Sequence, residues 1–219
     1  MMRAVNQKIL EAVKKMRQNA LPAKFKQSVE VVVNVTGVDL SKPQNRFSDV
    51  VELPNDLGRK RRKILVVASG NLALEAGRTE GVSRVIERGE LEALVGRKKD
   101  AKKIAKDYDF VLVEPGLMGL AARALGAALG SRGKTPIPIP PGTDIKAFVK
   151  RYLNSVQITL RKTPQVACLV GVEEEKDEKI AENVETVINR IVEKLEKRQR
   201  NISSIYLKTT RGKPVKVEV

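Results

Sequence analysis

Histidine and tryptophan are absent from this chain, and it holds a single cysteine. Without histidine there is no His-dependent triad, no common zinc site and no usual general base near neutral pH. One cysteine, Cys168, excludes an intrachain disulfide; its setting in V-A-C-L-V predicts a buried structural thiol. Aromatic residues are scarce, four Phe and three Tyr. A protein that stacks single-stranded bases on an aromatic platform would want more, whereas one that reads the backbone and shape of folded RNA would not. No apolar run approaches the roughly 18 residues of a membrane helix. The opening M-M-R-A-V-N-Q-K-I-L lacks the apolar stretch of a secretory signal. A soluble, cytoplasmic protein with no membrane partner is expected.

Positive charge is what the chain has in excess: 42 Lys and Arg against 26 Asp and Glu, a net +16. Such a field draws in polyanions, with nucleic acid first and an anionic membrane surface second. Hydrophobic residues make up 42% of the 219, enough for a packed core in one large domain or two small ones.

Residues 5–17 place Val5, Ile9, Val13 and Met16 on one helical face, and Pro22 ends that helix. S-V-E-V-V-V-N-V then alternates, with Val29, Val31, Val33 and Val35 on one strand face. Residues 46–53 read as its antiparallel partner. From I-L-V-V-A at 64–68 the pattern changes to strands alternating with helices, which argues a parallel sheet with helices on its faces. F-V-L-V-E at 110–114 is nearly all apolar, as a strand covered on both faces should be. Helix 117–129 is apolar almost all round and reads as buried. A Pro- and Gly-rich loop spans 130–142, and a helix covers about 144–153. After Asn154 the antiparallel style returns: strands 156–161 and 166–172 read as a hairpin. A long helix follows, its core face Ile180, Val184, Val187, Ile188, Ile191 and Leu195, and then a closing pair of strands. The economical reading is a discontinuous domain from both termini, residues 1–65 and 156–219, with a second domain inserted at 66–155. The two chain crossings make the junction a hinge candidate.

G-S-R-G-K-T at 130–135 approaches a phosphate-binding loop, but the Walker pattern needs a glycine where Ala128 stands. That loop also follows a helix instead of a strand. It reads as a rigid surface loop, or as one whose Arg132 and Lys134 touch nucleic-acid phosphates. Asp107, Asp109 and Glu114 read as solvated turn residues. No acidic spacing signals a metal or an acid–base pair, so no catalytic residue and no metal ligand is named. The basic runs Arg59–Lys63 and Arg97–Lys103 are candidates for phosphate contact, with Arg59, Lys60 and Arg61 foremost.

A-K-F-K-Q-S-V-E-V at 23–31, E-P-G-L-M-G at 114–119, L-G-S-R-G-K-T-P-I-P at 129–138 and T-T-R-G-K-P at 209–214 occur in this order. Together they resemble the ribosomal protein L-one family of the large subunit, in its archaeal form, over nearly the whole chain. The resemblance implies an α/β and α+β protein of two domains: an RNA-binding α+β sandwich holding both termini, and an inserted three-layer Rossmann-like domain without a cofactor. It implies binding to the large-subunit rRNA that forms the mobile stalk beside the tRNA exit site, and help in releasing deacylated exit-site tRNA. It also implies repression of the protein's own mRNA through a similar RNA fold, and a monomer off the ribosome. The family's RNA contacts carry over onto Lys24, Phe25, Ser28 and Glu30, and onto Thr209, Thr210 and Gly212, with Gly171 in a strand beside them; Arg211, within the turn, is a further candidate that either stacks on or pairs with RNA or points to solvent. Arg211 stands where the family has methionine, Lys213 where it has proline, and Val172 where it has lysine after the glycine. The rival readings are a nucleotide-binding enzyme built on the inserted domain and a generic nucleic-acid-coating protein.

Overall fold

The computed structural model describes residues 2–58 and 62–218, with side chains from residue 7 onward. In chain order the elements are α1 (Met2–Gln18), β1 (Ser28–Val35), β2 (Phe47–Glu52), β3 (Ile64–Val67), α2 (Gly70–Arg78), β4 (Val82–Ile86), α3 (Arg88–Leu94), α4 (Lys98–Asp107) and β5 (Phe110–Val113). They continue with α5 (Met118–Gly130), β6 (Ile137–Pro138), α6 (Ile145–Leu153), β7 (Ser155–Leu160), β8 (Gln165–Val172), α7 (Asp177–Lys194), β9 (Ile202–Thr209) and β10 (Val215–Val217). The chain divides into two compact units, Met1–Lys60 with Asn154–Val219, and Arg61–Leu153. The sequence reading puts the first crossing after residue 65. Ile64 and Leu65 instead begin β3, which is laddered to β4 on one edge and β5 on the other, and a strand held on both edges does not divide. The second crossing falls two residues earlier than expected, at the end of α6, so β7 lies whole in the first unit.

In the first unit a four-stranded antiparallel sheet, ordered β10-β9-β1-β8, carries α1 and α7 on one face. Ile9, Ala12, Val13 and Met16 of α1 are buried there at helical spacing, as are Ile180, Val184, Val187, Ile188 and Ile191 of α7. Val5, expected on the same stripe, lies outside the described side chains. The sheet answers with Val29, Val31, Val33 and Val35, and with Ile205, Leu207 and Thr209. Each buried valine contributes about 1.5–3 kcal/mol, and the net stability of a domain is only about 5–15 kcal/mol. The inward face therefore sets the register of β1 and leaves the outer face free to be polar. Arg17, at the end of α1, donates to the Asp177 carboxylate and to the carbonyls of Glu173 and Glu175, tying that helix to the entry of α7. Asp177 and Glu178 in the first turn and Lys194 in the last complement the α7 dipole.

Two expected pairings differ. β2 pairs with β7, not β1, because β8 and β9 already occupy both edges of β1. β7 and β8 are neighbours without forming a ladder, β7 pairing with β2 and β8 with β1, so residues 156–172 are not a hairpin. The β2–β7 pair adds Val51, Val156, Ile158 and Leu160 to the same core. Cys168 is half-buried and packs against that core.

The second unit is a parallel sheet, ordered β4-β3-β5-β6, between two helical layers. Leu65, Val67, Val111 and Val113 face the layer of α3, α4 and α5. The alternate residues Ile64, Val66, Phe110 and Leu112 are buried on the other face, toward which α2 and α6 pack. Both faces of β3 and β5 are covered, which is why these strands are apolar throughout. α5 buries one face, with Ala121, Ala124, Leu125, Ala128 and Leu129, and leaves Ala122 and Arg123 exposed, so it is not enclosed all round. The Pro-rich loop contains β6, a two-residue edge strand on β5 that tolerates Pro138 at the sheet margin. Among the described residues no helix is long and apolar enough to cross a membrane.

Candidate nucleic-acid interface

The segment between α1 and β1 and the bend between β9 and β10 meet at one end of the sheet. Antiparallel register sets Val29 between Gly171 and Thr209, and Ser28 beside Val172. The ladder then continues past the regular pairs. The Thr210 N–H donates to the Ser28 carbonyl at 3.1 Å, and the Ser28 N–H donates back to Thr210 Oγ1 at 3.1 Å. On the other side of β1, the Glu173 N–H donates to the Gln27 carbonyl and the Gln27 N–H to Glu173 Oε1, both at 3.0 Å. Gln27 itself is 2% exposed. Its side chain donates to the Leu21 carbonyl at 2.8 Å and accepts from the Arg211 N–H at 2.9 Å.

The expected contact residues fall into two layers. Lys24, Phe25, Thr210 and Arg211 are exposed, and Phe25 shows half of its surface to solvent. Thr210 spends its oxygen on Ser28, while its hydroxyl proton has no acceptor among the described residues. Glu30 is half-buried on the outer face, with Lys208 Nζ 4.0 Å from its carboxylate across the β1–β9 pair. Thr209 is completely buried, and Ser28 and Gly171 are buried as well. Gly171 lies next to Val170, the extra residue of a β-bulge in β8. A Cβ at Gly171 would come 3.3 Å from Ile180 Cγ1 of α7. Gly171 and Thr209 therefore face the helix layer and support the surface from beneath. Gly212 is constrained from beneath too: a Cβ there would lie 2.3 Å from Thr209 Oγ1 and 3.3 Å from the Asn19 carbonyl. Arg59, Lys60 and Arg61 lie outside the described residues.

Charge at this end is uneven. Lys26 pairs with Glu174, and Lys208 with Glu30. Lys24, Arg211, Lys213 and Lys216 have no carboxylate partner among the described residues. An open polar face with a half-exposed phenylalanine and unmatched cations suits a partner that offers phosphates, hydroxyls and base faces.

A family model described as "Ribosomal protein L1p/L10e family" matches residues 13–213. The chain belongs to this ribosomal protein family. The "Large ribosomal subunit protein uL1" of Pyrococcus abyssi is 45% identical over 213 residues, 97% of this chain and 96% of its own length. The protein of the same name from Thermofilum pendens is 42% identical over 214 residues, covering 98% and 91%. That from Methanothermobacter thermautotrophicus is 40% identical over 213 residues, covering 97% and 100%. The family is one of structural ribosomal proteins, not of enzymes.

The second unit of this ribosomal protein family member has the strand order of a nucleotide-binding sheet, with the order of strand addition reversing between the parallel neighbours β3 and β5. Ligands of such sheets sit outside the carboxyl ends of the strands at that point, with an anion on the following helix. Here Glu114, just after β5, occupies the place. Its Oε2 accepts from both the N–H and the hydroxyl of Ser69, at 2.8 Å each, at the N-terminus of α2. Glu114 is thus not a solvated turn residue, while Asp109 is a part-exposed bend residue that also takes up partners. Asp109 accepts from the Lys63 N–H at 3.0 Å, and its carboxylate lies 3.8 Å from the Arg62 guanidinium.

The Gly-rich loop is explained by packing as well. Lys134 Nζ donates to the carbonyls of Ala105 at 3.0 Å and Tyr108 at 2.6 Å, capping the C-terminal end of α4. Burial holds its ammonium below the ordinary lysine value; Asp109 pulls it back up, and Arg132 and Arg62 push it down. Lys134 is therefore turned inward and not toward phosphate, while Arg132 is exposed.

Gln27 has its own signal in the sequence: it lies two residues before Val29, at a position of inward parity, and is polar. Lys208 and Lys216 have none, because a lysine in a strand reads as ordinary solvent-facing charge.

Proposed function

We propose that this chain is an RNA-binding structural constituent of the large ribosomal subunit in the cytoplasm. In this reading its first unit holds the folded rRNA of the stalk beside the tRNA exit site. The observation that carries the reading is the joint surface of 24–30 and 210–212, locked by the Ser28–Thr210 and Gln27–Arg211 hydrogen bonds, in a member of this ribosomal family. Lys24, Phe25, Glu30, Thr210, Arg211 and Gly212 form the contact layer, supported by Ser28, Thr209 and Gly171. Phe25 offers an apolar face to a base or ribose. Thr210 offers a hydroxyl proton to a ribose or base acceptor, and Glu30 accepts from a 2′-hydroxyl or a guanine amino group while disfavouring a bare phosphate. The basic run Arg59–Lys63 and the overall +16 add affinity and encounter rate.

The same surface would recognise a similar fold in the protein's own mRNA and repress its translation. Movement of the stalk would assist the release of deacylated tRNA from the exit site. The protein acts as a monomer until it joins the ribosome, and the reaction of an enzyme is no part of this reading.

Filter binding of the full chain to the stalk rRNA fragment, against unrelated structured RNA of equal length, tests it. Sub-micromolar binding to the fragment with clear discrimination is expected. If about six phosphates are neutralised, log K should fall with log salt at a slope of about −4 to −5. Equal affinity for both RNAs, or for duplex DNA, would leave only a generic polyanion binder.

A further inference from the structure

Helix α4 reads K-K-D-A-K-K-I-A-K-D, and it turns two opposite faces. Ala101, Ile104 and Ala105 are buried against the second unit's core. Lys99, Lys102, Lys103 and Lys106 are all exposed, and at 100° per residue they fall within roughly 100° of arc on the side away from that core. Asp100 and Asp107 lie on the flank. None of these four lysines has an ion-pair or hydrogen-bond partner among the described residues.

Several cations on other helices are matched by carboxylates, although Lys14 and Lys15 of α1 are not among the described residues. Arg88 pairs with Glu92, Lys179 with Glu175, and Arg190 with Glu193 and Asp49. On α4 the spacings 99–102, 99–103, 102–106 and 103–106 are all like-charge neighbours, each destabilising a helix by about 0.2–0.5 kcal/mol. The fold retains an unneutralised row that an external polyanion would relieve. Exposed Arg132 extends the row, because Lys134 fastens its loop to the Ala105 and Tyr108 carbonyls at the end of α4. No aromatic side chain joins it: Phe110, Phe148 and Tyr152 pack on one another, with ring centroids 5.4 and 5.0 Å apart, and Tyr108 packs against the core. Phosphate is therefore the group this face can take, and base stacking is not.

We propose that the Lys99–Lys102–Lys103–Lys106 stripe is a second RNA contact, indifferent to sequence, that lies along the phosphate backbone of double-helical RNA. It rests on the reading of the protein as an RNA binder, and it adds a distinct site in the second unit. The first-unit surface selects the RNA shape, and the stripe supplies affinity that varies with salt.

The test uses the full chain and a plain RNA duplex of two helical turns, with the stalk rRNA fragment in parallel. In one variant all four lysines become Gln, which keeps helix propensity; in a second all four become Arg. If each lysine neutralises one phosphate, the Gln variant loses about 3.6 from the slope of log K against log salt on the duplex. Its affinity loss between 50 and 200 mM salt becomes roughly 150-fold smaller than that of the unmodified chain. The Arg variant keeps the slope and shows that α4 still folds. An unchanged slope in the Gln variant overturns the proposal and makes α4 a solvated face. Loss of binding to anionic phosphatidylserine vesicles, with the RNA slope intact, also overturns it and assigns the stripe to a membrane surface. Discrimination between the fragment and the duplex is read separately. Its absence in the unmodified chain would remove the proposed function and leave the result for the stripe standing.

Discussion

Gln27 accepts the backbone N–H of Arg211 at 2.9 Å while donating to the Leu21 carbonyl at 2.8 Å, and so one buried amide holds both halves of the candidate interface. Gln27→Leu should leave one donor and one acceptor without a partner and lower stability by about 1–3 kcal/mol. Urea unfolding measures that. RNA affinity should fall with it, because the 210–212 bend loses its tether. Gln27→Glu keeps the acceptor for Arg211 but sets a buried carboxylate against the Leu21 carbonyl, so it should be at least as destabilising as Gln27→Leu. Equal affinity in all three proteins would show that the tether does not matter for RNA.

Thr210 both closes the ladder to Ser28 and presents its hydroxyl proton outward. Thr210→Val should weaken binding to the stalk fragment by about 1–3 kcal/mol, and Thr210→Ser should retain most of it. Ser28→Ala should act in the same direction. An equal loss on a scrambled duplex would show that these residues do not read RNA shape.

Gly212 has no room for a Cβ beside Thr209 Oγ1, 2.3 Å away. Gly212→Ala should destabilise the protein by about 1–3 kcal/mol through overpacking. Thr209→Ala removes the obstructing oxygen, so the double variant should be more stable than the sum of the two losses predicts. Thermal unfolding of the four proteins gives the coupling. Strict additivity would mean that the clash relaxes elsewhere.

Glu114 and Lys134 are structural in the second unit, at the α2 N-terminus and the α4 C-terminus. Glu114→Ala and Lys134→Met should each lower stability by about 1–3 kcal/mol and leave discrimination between RNAs intact. Calorimetry with ATP and NAD should give no binding heat, because the helix N-terminus already has its anion.

Asp49 supplies a pH dependence. Burial raises its pKa, but the Lys194 hydrogen bond, the Val50 N–H and the Arg190 charge outweigh it, so the net shift is below the ordinary 3.8. Arg190 and Lys194 approach Oδ2 at 2.8 and 3.1 Å. A depressed carboxylate stabilises the fold above its unfolded value, and that contribution is lost as pH falls through the folded value. Asp49→Asn should therefore be less stable than the natural chain at neutral pH, and the gap should close below pH 3.8. A gap that persists in acid would rule out the ion pair as its source.

Local periodicity carried much of this fold. The alternating valines of β1, the all-apolar β3 and β5, and the inward stripes of α1 and α7 could be read from spacing, because each depends on neighbours in sequence. Pairing could not. Residues 47–52 have the pattern of an antiparallel partner, but nothing local tells them that β8 and β9 hold both edges of β1. The roles of Glu114 and Lys134 were hidden for the same reason: their partners Ser69 and Ala105 lie 45 and 29 residues away. The segments of the candidate interface were picked out by motif resemblance, but which of their residues are exposed and which are buried was not legible. Thr209 and Thr210 are adjacent and chemically identical, and only strand parity turns one inward and the other to solvent.

The crowding beneath Gly212 also bears on how this bend drifts over generations. Its neighbours Arg211 and Lys213 are exposed side chains with no partner among the described residues, so mutation can replace them without disturbing the molecule's interior. Gly212 has no such latitude, whatever the RNA requires.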